Sequence, residues 1–105
     1  MTPDTTLDAF RRAHAFFDAG QPAEAVRLLD EVVAASPDST AALELRARAL
    51  FASAQLGRAE QAFRQLVERA PDDAWSRTAL ARTLERQGRD REAAGQWRIA
   101  QALTG

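Results

Sequence analysis

The chain has 105 residues, 46% apolar and 28% charged, with 14 basic against 15 acidic side chains and a net charge of −1. That is enough for one domain with a modest core, without the basic surplus that nucleic-acid binders use to displace counterions from phosphates. There is no cysteine, which excludes a disulfide framework and thiolate metal sites, and no apolar run approaches the roughly 20 residues of a membrane span.

The opening, "MTPDTTLDAF", has no basic segment followed by an apolar one, so it does not read as a secretory signal. A cytoplasmic location is expected. All fourteen basic residues are Arg, and Lys, Asn and Tyr are absent. This reads as the coding bias of a GC-rich, bacterial genome.

The first helix is expected near 5–18. Leu7, Ala9, Phe10, Ala13, Phe16 and Phe17 recur at helical spacing. Thr5 is the expected N-cap, and Asp8 suits the positive helix end. Gly20 can take the left-handed conformation that closes a helix. Pro22 then suits the first turn of a second helix, expected near 22–35. Ala25, Leu28, Leu29, Val32 and Val33 share one face of it, and Pro37 prevents its continuation. Four further helices are expected near 40–53, 57–70, 74–87 and 91–103. Asp72 or Asp73, and Asp90, are the candidate caps among them, and Gly88 repeats the role of Gly20.

A period underlies this order. Pro37 and Pro71 stand in the similar phrases "SPDSTA" and "APDDAW", 34 residues apart, and one further step reaches Gly105. Gly20, Glu24 and Ala25 recur as Gly88, Glu92 and Ala93, two periods on. The chain therefore reads as a single domain over 1–105 with three units, 6–39, 40–73 and 74–105. Each unit is a helical hairpin that cannot bury its apolar stripe alone, so successive hairpins must stack.

A 34-residue helix–turn–helix period resembles that of the tetratricopeptide repeat family. Leu80, Ala81 and Leu84 fall where the family pattern has Leu, Gly and Tyr. Ala93 and Trp97, Ala59 and Phe63, and Ala25 and Leu29 fall on its later Ala and Phe. Pro37 and Pro71 supply its terminal proline. The small residues Ala13, Ala47, Ala81, Ala25, Ala59 and Ala93 would let paired helices approach. Arg12 and Arg46 depart from the pattern, and Ala54 replaces the turn glycine while Gly57 follows three residues later, so the turn at 54–57 is expected to differ. The resemblance implies an all-α, right-handed α-solenoid of three repeats and six helices.

It also implies a function, that of a protein–protein interaction module or adaptor. In this family the first helix of each pair lines a concave surface that commonly binds peptides. Carried over by period, that surface would hold Leu7, Phe10, His14 and Phe17, then Ala41, Glu44, Arg48 and Phe51, then Trp75, Thr78, Arg82 and Glu85. His14, Arg48 and Arg82 form one column among aromatic residues. Aromatic and Arg side chains commonly carry binding energy, and an Arg fork can hold a carboxylate with two hydrogen bonds. The expected partner is a protein or peptide with an acidic group. The plainer reading pairs Arg48 with Glu44 or Glu85, and Arg82 with Glu85, on a solvated face. Trp75 packing over the preceding loop, and Phe10, Phe16 and Phe17 serving the core, belong to the same reading. Chaperone-tail binding is not expected: Lys and Asn are absent, and Phe10, Leu45, Trp75 and Ala79 occupy the places where that clamp has polar or basic residues.

Parts for other chemistry are missing. There is no phosphate-binding glycine loop, and one His without Cys leaves nucleophilic triads and zinc sites incomplete. No enzyme activity, metal or cofactor is expected. The last helix offers an alternative function. Gln101 stands where Val33 and Val67 do, and Gln96 where Leu28 does, yet Ala94, Trp97 and Leu103 leave an apolar remainder. The alternative is a structural module that homo-oligomerises through this terminal repeat, with Ala94, Trp97 and Gln101 at the contact; in the competing reading, Trp97 folds inward as Leu29 and Phe63 do.

Overall fold

The structure, a computed structural model, describes residues 2–105. Among them are six α-helices and no strand. The helices form two compact units, one ending at Gln55 and one beginning at Leu56.

The first unit holds α1 (Pro3–Asp18), α2 (Pro22–Ala35) and α3 (Thr40–Ala52). Helix α1 packs on α2, α2 on α3, and α1 also reaches α3. Ala13 and Ala25 are fully buried, as are Leu29 and Leu50. With no side chain beyond Cβ at those Ala positions, the backbones approach closely and the Leu side chains fill the space between. Each such Leu contributes roughly 1.5–3 kcal/mol by leaving water. A small cluster of Ala9, Val32 and Ala42 joins the three helices, and Phe10 and Val33 pack against it.

The second unit holds α4 (Leu56–Arg69), α5 (Ala74–Arg86) and α6 (Asp90–Thr104). Helix α5 packs on both α4 and α6. Ala59, Ala81, Leu80 and Leu84 are buried here, with Phe63 and Ala93. Two polar side chains are also buried, and both are satisfied. Ser76 donates to Asp73 at 2.7 Å, and Thr83 donates to the Ala79 carbonyl at 2.8 Å.

Helix starts correct two expected caps. Helix α1 begins one turn-fraction early, at Pro3, because the Thr2 side chain accepts from the Thr5 N–H; Thr5 is inside the helix. Asp90 is the first residue of α6 and not its cap; the cap position is Arg89, without a side-chain bond. Asp73 does cap α5, accepting from the Trp75 N–H. Ser39, one period before Asp73, caps α3 by accepting from Ala42. The 34-residue spacing of Ser39 and Asp73 marks this cap in the sequence.

Helix ends share one geometry. Gly20 donates to the Phe17 carbonyl and Gln21 to Phe16; Gly88 donates to Glu85 and Arg89 to Leu84. Both glycines have φ of 76°. This is the paired closure in which a left-handed residue satisfies the last helical carbonyls. The turn at 54–57 was expected to differ, and it does not. Ala54 donates to Phe51 and Gln55 to Leu50, with Ala54 itself at φ 60°. Gly57 lies inside α4.

A left-handed L-residue costs roughly 1–2 kcal/mol, partly offset on Ala54→Gly by the greater freedom of glycine in the unfolded chain. Ala54→Gly should therefore raise stability by up to about 1 kcal/mol and Tm by a few degrees. Thermal unfolding followed by circular dichroism checks it; a lower Tm would mean that the left-handed turn is not the native one.

Candidate functional site

On α1, Phe10, His14 and Phe17 follow i, i+4, i+7 and so share a face. Phe10 and Phe17 are half-buried, and His14 is exposed. The His14 ring meets the edge of Phe10 with centroids 6.4 Å apart. Its Nδ1 donates to Asp18 Oδ2 at 3.0 Å, one turn on.

On α3, Glu44, Arg48 and Phe51 repeat the same spacing. The Arg48 guanidinium lies over the Phe17 ring, 4.8 Å from its centroid. The plainer reading pairs Arg48 with Glu44 or Glu85; within this unit its guanidinium rests on an aromatic face and not on Glu44. Such a contact is attractive through the ring quadrupole. Arg48 is exposed, while Glu44 and Phe51 are half-buried. Two pairs from the expected surface are in contact in this unit: Phe10 with His14, and Phe17 with Arg48.

On α5, Trp75 is 44% exposed and packs edge-on against Phe63 of α4, with centroids 6.0 Å apart. It therefore rests on a neighbouring helix. Thr78 is half-buried and Arg82 exposed. Leu7 is exposed as well, at 46%. Phe16 is only half-buried and so is not a core residue.

The last helix shows a mixed face. Trp97 is half-buried, unlike the fully enclosed Leu29 and Phe63, and Ala94 and Gln101 are exposed. Ile99 and Leu103 are exposed too. Gln96 accepts from Arg77 Nη1 at 3.1 Å.

The strongest electrostatic feature of the second unit escaped the sequence reading. Glu60 on α4 is largely buried, its side chain 13% exposed. Arg64 Nε donates to its Oε2 at 3.0 Å, and Gln87 Nε2 donates to its Oε1 at 3.0 Å. Arg89 Nη1 donates to the same Oε1. Arg89 also grips Glu92 with two bonds, 2.6 and 2.9 Å. The cluster ties the α5–α6 turn to α4. Burial pushes the Glu60 carboxyl up, but the hydrogen bonds from Gln87, Arg64 and Arg89 outweigh it and hold the group below its ordinary value of 4.5. Glu92 is lowered too, chiefly by its hydrogen bonds from Arg89. Among the described residues no group of three His, Asp or Glu is placed to hold a metal ion, and no helix is long and apolar enough to cross a membrane.

A model of the tetratricopeptide repeat family matches residues 16–75, more than half of the chain. No curated protein sequence matches it. Among solved structures, MamA from Desulfovibrio magneticus RS-1 (residues 41 to the end) has a TM-score of 0.88 at 22% identity, covering 97% of this chain and 58% of that one. MamA MSR-1 has a TM-score of 0.90 at 22% identity, covering 98% and 59%. MamA AMB-1 has a TM-score of 0.89 at 24% identity, covering 97% and 60%. The chain thus spans less than two thirds of the length of these MamA chains, and the likeness is one of fold.

A carboxylate whose folded pKa is lowered stabilises the fold above its unfolded value, and that contribution fades as pH falls through the folded value. Glu60→Gln should therefore cost roughly 1–3 kcal/mol near neutral pH. The difference from wild type should stay constant down to about pH 5 and shrink below the ordinary carboxylate value. Urea unfolding of both chains at a series of pH values checks this. A difference that grows on acidification would remove Glu60 from its assigned role.

Proposed function

The chain belongs to the tetratricopeptide repeat family, and from that premise we propose that it is a protein-interaction module. Its first-position helices take a peptide or protein segment that carries an acidic group. The observation that supports this most is Arg48. Its side chain is exposed, yet its guanidinium rests over the Phe17 ring, on a helix face that Phe10 and His14 share with Phe17. A long cationic side chain normally loses rotamer freedom when it binds; one already held by a ring loses less. Its N–H edges suit a carboxylate in two-bond geometry. In the other unit, exposed Arg82 with Trp75 and Thr78 offers the same residue types.

Peptides selected from a random display library on the wild-type chain should be rich in Asp or Glu. Changing Arg48→Ala and Arg82→Ala together should weaken them tenfold or more, since a hydrogen bond to a charged group is worth about 1.5–3 kcal/mol. Selected peptides that bind the double variant as tightly as wild type would overturn the reading.

A second reading, self-association through α6, is favoured by one observation: Ile99 and Leu103, four residues apart, are both exposed there. Light scattering coupled to size exclusion over a range of concentrations should then show more than the 11.5 kDa monomer. Leu103→Glu should restore the monomer without unfolding it. A monomer at every concentration would end this reading.

A further inference from the structure

One period maps α1 onto α3: Arg12 onto Arg46, Ala15 onto Ala49, Phe16 onto Leu50, Ala19 onto Ser53. These positions make one stripe along a helix. On α3 the stripe is covered. Ala49 and Leu50 are fully buried, α2 packs along α3, and Arg46 Nε donates to Asp30 of α2 at 2.8 Å. On α1 the same stripe is open. Arg12, Ala15 and Ala19 are exposed and Phe16 is half-exposed. Together with Gln21 these four line a shallow, mainly apolar groove.

We propose that this outer stripe of α1 is a docking site for an amphipathic helix of a partner protein, one that presents an acidic residue to Arg12 between two apolar residues. The α2–α3 junction is the template. There α2 sets Val26, Asp30 and Val33 along one face, with Val26 buried and Val33 half-buried on either side of the acid. Charge sets the occupant. Arg12 occupies the place of Arg46, whose guanidinium takes the carboxylate of Asp30. A second copy of this chain is the wrong occupant. Its α6 is the helix that corresponds to α2, and it carries Ala94, Arg98 and Gln101 where α2 has Val26, Asp30 and Val33. Arg98 would then face Arg12, and Gln101 would lose water where a valine is required. The stripe is also separate from the Phe10, His14 and Phe17 face. Two residues of offset turn it about 200° around the helix.

The test uses a synthetic peptide with the α2 sequence, residues 22–36, locked as a helix by a lactam bridge on its solvent face. It is titrated into the isotope-labelled chain and followed by amide shifts. The expected result is perturbation at Arg12, Ala15, Phe16, Ala19 and Gln21. The peptide with Asp30→Arg should bind roughly fivefold more weakly, and Arg12→Glu in the chain should restore that peptide. Three results would overturn the proposal: no perturbation on the stripe, perturbation on α3 (exchange with the resident α2), or equal binding of the Asp30→Arg peptide. An α6 peptide that binds as well as the α2 peptide would also overturn it, by making a second copy the occupant. Arg48→Ala should leave the titration unchanged, so failure here and failure of the acidic-peptide reading remain distinguishable.

Discussion

The reversal after the first helix of each pair constrains everything else. Helices such as α1 and α5, of 16 and 13 residues, are marginal alone, and each becomes stable when its successor packs against it. Return at the right angle requires one left-handed residue that closes the last carbonyls while redirecting the chain. The same two bonds occur at Gly20, Ala54 and Gly88. Alanine does not favour this conformation, so at Ala54 the surroundings impose it. The Gln55 N–H bonds to the carbonyl of Leu50, itself fully buried. Burial of one such side chain outweighs the strain of one left-handed alanine. The closure is therefore a property of the hairpin, and glycine is its easiest but not its necessary residue.

Charge is used in two ways on this scaffold. Around Glu60 the charges are consumed internally. An isolated carboxylate so enclosed would be pushed toward its neutral form, and three side-chain donors reverse that. Removing one partner there leaves a buried group unsatisfied, which is why such a cluster holds a turn in place and makes a poor binding site. Arg48 is the opposite case. The ring beneath it satisfies one face of the guanidinium without a counter-charge, so the cation is localised but not neutralised. A charge localised by a ring differs in this from one consumed by a structural ion pair.

Helix number and order were legible because proline, glycine and apolar spacing all repeat on one period. The observed helices fall within a residue or two of the expected ones. The small residues were legible too, since Ala13, Ala25, Ala81 and Ala93 recur and are all buried. The cap of α1 was not, because the period points to Thr5 while Thr2 and Pro3 set an earlier start. The Glu60 cluster could not be read. Only Arg64 is one turn away; its other partners are 27 and 29 residues away, and its period equivalents, Val26 and Ala94, carry no charge. The contact of Arg48 with Phe17 joins two residues that were both expected on one surface, where the plainer reading gave Arg48 an acid as its neighbour. Spacing places residues on a face; it does not choose between a carboxylate and a ring.

Repetition supplies a comparison that a single sequence otherwise lacks. Each position has counterparts in the same chain, so an exposed residue can be judged against what covers its equivalent. Leu50 and Leu84 are fully enclosed, and Phe16 at the same position is half in water. Arg46 meets Asp30, and Arg12 at the same position has an open groove before it. A large aromatic side chain and an Arg fork held open in the register of a known junction form a surface with a definite complement. Helix α1 thus carries two edges on opposite sides. One is shaped by a cation resting on a ring, the other by an open groove in the register of the α2–α3 junction. The first depends on contacts between α1 and α3, and the second only on α1 and the turn that follows it. Changes at one edge are therefore free to occur without disturbing the other.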